Sequence, residues 1–298
     1  MGATLPADFA FEPKVWKDHI DAYFDKKLVY GAFAVTDDTL TGEPGTTINF
    51  PYFKAIGDAE EPAADEALTV DKLQDDSFSA TIFEAGKAVG VRRAALRKSA
   101  ATQEKIFSAV QDQIARVLAE KVDAKLIAEI NGSGNYTQGY LATAAGHVMS
   151  MTVLHQGIIT AFGDKAPDAM VCFMHSQQYL SMLTDTTSGF IKADANDPWY
   201  NVPGFKGRIG NMALVVVDTV PASTAIDSKK AYHAFVCKAN AYGFMTAEEM
   251  EIESDYDILH REWVFAGTHW YAVKAFHAKV SADDKKICRI TTTTAVAA

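Results

Sequence analysis

Between residues 102 and 132 the chain reads TQEKIFSAVQDQIARVLAEKVDAKLIAEING. Ile106, Val110, Ile114, Val117, Leu118, Val122, Leu126 and Ile130 recur at steps of three and four. That spacing draws one apolar stripe along an α-helix. Thr102 is placed to cap its start, with Glu104 near the positive end of the helix dipole. Gly132 is expected to supply a left-handed stop. Neither Gly nor Pro interrupts the run, which predicts a helix over 102–131. At about 1.5 Å per residue this is a rod of roughly 43 Å, long for a globular domain.

Before the rod the period changes. In TTINFPYFK, Ile48, Phe50 and Tyr52 alternate, which predicts a strand. Pro51 confines that strand to an edge or to a ribbon outside a sheet. SFSATIF, with Phe78, Ala80 and Ile82, predicts its partner. The connection between them is strongly acidic: Asp58, Glu60, Glu61, Asp65, Glu66, Asp71, Asp75 and Asp76 against Lys72. A connection of that length inside a compact domain is usually functional or disordered. The charge then reverses at Lys87, Arg92, Arg93, Arg97 and Lys98, a basic segment leading into the rod. An acidic ribbon and a basic shoulder in one chain suggest self-complementarity, the ribbon of one copy lying on the shoulder of the next. Such contacts steer and register association, and a head-to-tail contact builds rings or lattices. Pairing within one chain is the alternative.

The first 45 residues carry Phe9, Phe11, Trp16, Ile20, Tyr23, Phe24, Leu28 and Tyr30, with a short helix expected near 13–25. An arm bearing this many rings needs another surface to bury them. After Gly132 the segment NGSGNYTQGYLATAAGHVM reads as loop. Val153, Leu154, Ile158, Ala161 and Phe162 then predict a helix capped by Ser150 or Thr152. Strands are expected at 169–173, 212–217 and 232–238, and a second helix at 176–183. The end returns to strand character at 244–253, 261–277 and in KKICRITTTT. Strands on both flanks of an α/β lobe predict an α+β fold.

Composition narrows the function. The chain has 298 residues, 48% hydrophobic and 22% charged, the balance of a globular protein with a sizeable core. A net charge of −10 argues against a chain whose main task is gripping nucleic acid. It leaves room for a wall that encloses DNA without adhering to it. Cys172, Cys237 and Cys288 are few, odd in number and far apart, so neither a disulfide framework nor a metal site is expected. The first residues show neither a basic nor an apolar leader region, and no secretory signal is expected. The strongest apolar run, MALVVV at 212–217, is too short to span a bilayer.

Catalytic candidates are weak. Gly204, Gly207 and Gly210 resemble a phosphate cradle only in spacing, because a strand rather than a helix follows them. Cys172 and His175 stand three apart without a ligand-spaced partner, and His155, His233 and His277 are expected to flank core faces. Neither a paired-carboxylate site nor a nucleophile elbow is present. No cofactor, metal or catalytic residue is assigned, and assembly is the better inference.

The order of parts carries a resemblance. TINFPYFKAIGDAE, then EAGKAVGV, then EKVDAKLIAEING, MHSQQYLSML, GRIGNMALVVVDTVP with Asp218 and Pro221, and MEIESDYDIL with Glu253 and Asp257 follow one another. In that order they resemble the major capsid proteins of tailed bacteriophages, the Hong Kong 97 phage fold. The resemblance implies an N-terminal arm at 1–45 and an extended β-ribbon loop at 46–86. It implies a peripheral domain at 87–140 and 241–298 that contains the spine helix, and an α/β axial domain at 141–240. It implies hexamers and pentamers of one chain forming an icosahedral shell, assembled in the host cytoplasm, around double-stranded DNA held by weak non-specific contact. A portal and a separate scaffolding protein are implied partners, and no membrane. The lysine–asparagine crosslink of some relatives cannot be placed here, so non-covalent assembly is expected. The expected inter-subunit contacts are Asp58, Glu60, Glu61, Asp65 and Glu66 on Lys87, Arg92, Arg93, Arg97 and Lys98, with Phe50, Tyr52 and Trp16 burying against neighbours. The alternatives are an encapsulin-type compartment enclosing a cargo enzyme and, more distantly, a soluble α/β nucleotide-binding enzyme using the glycines of 204–210.

Overall fold

The computed structural model describes residues 28–37, 46–53, 70, 72–73, 75–98, 103–144, 146–163, 170–184, 190–194, 197–276 and 285–294. In chain order a 3-10 turn at Gly31–Phe33 leads into β1 (Val35–Asp37), β2 (Thr47–Phe53) and β3 (Asp75–Arg92). Then come α1 (Arg93–Lys98), α2 (Gln103–Ile130), β4 (Thr137–Leu141), α3 (Met151–Phe162), β5 (Met170–Met174) and α4 (Ser176–Leu183). The rest is strand: β6 (Phe190–Lys192), β7 (Phe205–Ile209), β8 (Met212–Val216), β9 (Ala222–Ile226), β10 (Lys229–Lys238), β11 (Tyr242–Asp257), β12 (Glu262–Ala275) and β13 (Ile287–Thr293).

Two sheets result, giving a mixed α+β fold. One runs β1-β11-β12-β3-β2, the other β4-β13-β10-β5-β8-β7-β6 with β9 paired to β10. The expected rod is α2, which lies over β12 and β3 of the first sheet. Ile114, Leu118, Val122, Leu126 and Ile130 are buried as the stripe predicts, and each such side chain contributes about 1.5–3 kcal/mol of transfer free energy. The stripe departs from expectation in two ways. Ala115 and Ala119 are fully buried, while Val117 is 41% exposed. The helix comes close to β12: a Cβ at Gly267 would stand 2.5 Å from Ile114 Cγ2 and 3.4 Å from Leu118 Cδ1.

The rod also stops differently. Gly132 does not adopt a left-handed conformation. The last turn tightens instead, with Gly132 N–H donating to the Glu129 carbonyl (3.0 Å), and Asn135 Nδ2 donating to the same oxygen at 2.7 Å. Gly132 is required by space, since a Cβ would meet Asn135 Nδ2 at 2.8 Å. Thr102 and the helix expected near 13–25 lie outside the described residues.

In the second sheet, α3 packs on β4 and β13. Ser150 caps α3, its hydroxyl accepting from Val153 N–H at 3.2 Å. α4 occupies the predicted 176–183. β4 lies in the segment read as loop. Gly139 weakens the strand pattern there, but a Cβ at that position would overlap the Gly157 carbonyl of α3 and stand 2.5 Å from Cys288 Sγ. The glycine is what lets helix and strand touch. The last segment forms β13, which pairs with β10 and β4 of the second sheet. Of the histidines expected to flank core faces, His233 is buried and bonded to Thr291 Oγ1 at 2.9 Å, His155 is exposed, and His277 lies outside the described residues.

Candidate assembly surface

The ribbon forms as the alternation predicts. β2 pairs antiparallel with β3 from Thr47↔Thr81 to Phe53↔Asp75. Pro51 sits opposite Ser77, on the outermost strand of the sheet, where its missing N–H costs least. β3 continues without a break to Arg92, and β12 pairs with it over Ile82–Arg92. Between Asp75 and Thr81 β3 is paired only to β2, so the ribbon runs past its sheet as two strands. Its root is anchored by Ile48 and Ala80, which bury against Met245 and Ala272. A two-stranded ribbon is marginal in water and gains stability from a further surface.

The basic shoulder spans two local structures. Lys87 and Arg92 are on β3, Arg93 and Arg97 on α1, and all four are exposed. Lys98 ends α1, and its side chain lies outside the described residues, as do the side chains of Phe50 and Tyr52 on β2. Trp16 and the acidic Asp58, Glu60, Glu61, Asp65 and Glu66 also lie outside them. Arg92 approaches Glu262 of its own chain at 3.8 Å, with its side chain still 77% exposed, a contact of little worth in water.

Beside the shoulder is a feature the sequence reading passed over. The turn between β11 and β12 presents Ile258, 78% exposed, and Leu259, 90% exposed. The tip is held in shape by polar groups. One oxygen of Asp257 accepts from Leu259 N–H (2.8 Å) and His260 N–H (3.1 Å), and the other meets His260 Nδ1 at 2.6 Å. The His260 hydrogen bond holds the Asp257 carboxyl below the usual carboxylate range, and the same bond raises the imidazole. Arg261 takes a positive φ of 53°, and its carbonyl accepts from Arg93 N–H at 3.0 Å, which fixes the tip to the shoulder. The only signal in the sequence was two adjacent aliphatic residues at a hairpin turn, where polar residues are usual.

The remaining chemistry is structural. Gly204 and Gly210 flank β7, Gly207 lies within it, and the β7–β8 hairpin follows with no helix N-terminus to receive a phosphate. His175 caps α4: its Nδ1 accepts from Gln177 N–H at 3.2 Å, and its Nε2 faces Asp218 Oδ1 at 3.6 Å. Its ring stacks on Tyr232 with centroids 3.8 Å apart. Both ring nitrogens are engaged, so none is left to activate the neighbouring Ser176. The three cysteines are buried, and burial pushes their thiols up, Cys288 to about 12. Among the described residues no three acidic, histidine or cysteine side chains gather in a way that could hold a metal ion.

A long helix across a five-stranded sheet, a second larger sheet, a ribbon projecting past its sheet and an apolar tip together define a capsid-type fold. The capsid of Ralstonia phage GP4 superposes with a TM-score of 0.74 over 92% of this chain and 91% of that one, at 14% identity. The acid-stable capsid of Helicobacter pylori bacteriophage KHP30 gives 0.67 over 99% and 95%, at 13% identity. The major capsid protein of Staphylococcus phage phiMR11 is 26% identical over 237 residues, 77% of this chain and 80% of that protein. The profile of the phage capsid protein family matches residues 75–290. The chain belongs to the phage capsid protein family: it is a structural protein whose place is the shell of a virion.

Proposed function

We propose that the chain is the major capsid protein of a tailed double-stranded DNA bacteriophage, assembling non-covalently into an icosahedral shell around the genome. The family match over 75–290 carries this reading. The ribbon running past its sheet and the exposed Ile258–Leu259 tip support it, because both are surfaces that a lone subunit leaves in water. In this reading α2 is the spine helix of a Hong Kong 97-type fold. Residues 1–45 are an arm, 46–86 an extended loop, 87–140 and 241–298 a peripheral domain, and 141–240 an axial domain gathered around fivefold and sixfold axes. The acidic stretch of the loop meets the shoulder of Lys87, Arg92, Arg93, Arg97 and Lys98 on a neighbour, and Phe50, Tyr52 and Trp16 bury there. Assembly takes place in the host cytoplasm with a portal and a separate scaffolding protein, and the acidic chain touches DNA only weakly.

The test is electron microscopy of the purified product with an assay of its contents. Closed particles that package DNA when produced with the rest of the phage support the proposal. Particles filled with an enzyme identify a cargo compartment instead, and a small oligomer rules out a shell. For the shoulder, Arg92→Glu combined with Arg93→Glu is expected to lower particle yield at least tenfold while the subunit keeps its circular dichroism spectrum. Undiminished yield removes the shoulder from the interface.

A further inference from the structure

Residues 28–34 run across the seam between the two sheets, and what holds them there is a half-buried carboxylate. Asp123 lies on α2, facing this segment rather than water. Its Oδ2 accepts from Val29 N–H at 2.8 Å, and its Oδ1 accepts from Tyr30 N–H (3.2 Å) and Gly31 N–H (3.3 Å). Three successive N–H groups on one carboxylate make a cap for the turn at Gly31–Phe33, supplied by a side chain more than ninety residues away in sequence. Tyr30 then reaches both sheets. Its ring packs on Phe173 of β5 at 4.8 Å, and its hydroxyl bonds to Thr219 Oγ1, after β8, at 3.0 Å. Its carbonyl accepts from the hydroxyl of Tyr242, at the start of β11, at 2.8 Å. Phe33 packs against Phe173 and Trp199, each at 5.7 Å, and the chain then joins the first sheet as β1, parallel to Gly243–Met245. Leu28 and Tyr30 are 6% and 1% exposed. These two were read as arm residues in need of another surface, and they bury on their own chain.

We propose that residues 28–34 are a strap that ties the two sheets together, with Asp123 as its clasp, and that the strap docks and undocks as a unit of its own. Each element of the strap reports to a different body: Asp123 to the long helix, Tyr30 and Phe33 to the second sheet, Tyr242 and β1 to the first. Every backbone group that α2 receives from the strap goes to one side chain, so a single protonation changes all three bonds. The ionisable groups that feel the carboxyl's charge are the Tyr30 hydroxyl and the Tyr242 hydroxyl of β11, each kept neutral by burial. Burial outweighs the three donated N–H bonds and raises the carboxyl to about 6. An undocked strap leaves Asp123 in water with an ordinary value near 3.9. The docked state therefore binds the proton more tightly. Docking is strongest below the solvated value and weakens as pH rises through about 6, by up to about a hundredfold in its equilibrium constant.

Hydrogen–deuterium exchange on the full chain tests this, whether or not the chain assembles. The readout is protection of a peptide covering 28–37, compared with one from the buried half of α2 and corrected for intrinsic exchange at each pH. In the natural chain, strap protection is expected to fall about tenfold between pH 5 and pH 7.5, with α2 unchanged. Asp123→Asn keeps an acceptor oxygen but cannot ionise, and is expected to make strap protection independent of pH. Asp123→Ala is expected to expose the strap at every pH. Tyr30→Phe, which leaves the clasp and loses only the Thr219 bond, keeps the pH dependence with lower protection and serves if Asp123→Ala does not fold. Strap protection that is flat with pH in the natural chain, or equally pH-dependent in Asp123→Asn, overturns the clasp. Strap and α2 opening together at every pH overturns the strap as a separate element.

Discussion

The apolar tip between β11 and β12 offers the sharpest test of assembly. Fully burying a Leu or Ile side chain contributes about 1.5–3 kcal/mol. Ile258 is 78% exposed and Leu259 90%. Scaling by those fractions, covering the tip returns about 2.5–5 kcal/mol per contact. A factor of ten in an equilibrium constant is about 1.4 kcal/mol, so the gross effect is roughly two to three decades. Ordering of side chains and imperfect desolvation reduce it. Replacing both residues, Ile258→Asp with Leu259→Asp, is therefore expected to raise the concentration threshold for particle formation at least tenfold. The fold should not suffer, because the turn is held by Asp257, His260 and the Arg261 carbonyl rather than by these two side chains. Sedimentation velocity across a dilution series measures the threshold, and thermal melting of the dilute subunit checks the fold. Unchanged assembly with an unchanged melt would refute the claim that the tip is buried against another copy. A melt lowered by more than about 5 °C would show that the tip belongs to the subunit's own stability.

Two further expectations concern the subunit itself. Gly139→Ala forces a methyl group into the Gly157 carbonyl and Cys288 Sγ, and overpacking of this kind costs about 1–3 kcal/mol, to be read from the urea midpoint at constant slope. His269, beneath α2 and stacked on Tyr271 at 5.5 Å, is depressed by burial to about 4. Its folded value lies below the unfolded one near 6.5, so the unfolded chain binds the extra proton, and stability is lost as pH falls from about 6.5 towards 4. His269→Phe should reduce the slope of unfolding free energy against pH in that window by about 1.4 kcal/mol per unit. An unchanged slope would mean that the ring titrates normally.

What could be read from the sequence is what a residue's own neighbours along the chain determine. α2 was legible because twenty-eight residues repeat one period. Pro51 was legible as an edge residue because a missing donor constrains any strand that contains it. β3 was read as a short strand followed by a basic segment because Gly86 and Gly90 interrupt its pattern, yet Ala85, Val89 and Val91 keep the inward alternation and the strand is continuous. β4 was lost to Gly139, whose value lies in a helix that arrives later in the chain. At Gly139 a glycine that looked like punctuation is a contact.

Asp123 shows the limit most clearly. On a helix read by periodicity, an acidic residue off the apolar stripe is assigned to water. Here it stands one residue past the fully buried Val122 of the stripe, and the carboxylate turns to donors that precede it by more than ninety positions. No local pattern encodes that pairing, because a turn of small and aromatic residues at 28–34 gives no sign that it lacks a cap of its own. The same reasoning separates the two halves of the proposed assembly surface. The charge of the shoulder is a property of composition and could be read directly. The tip is a property of exposure: the sequence reading passed over Ile258 and Leu259, and it is the hairpin that places them in solvent. Surfaces that a subunit reserves for its copies are thus best found where the fold spends an aliphatic side chain outside its own core and uses polar bonds to keep it there.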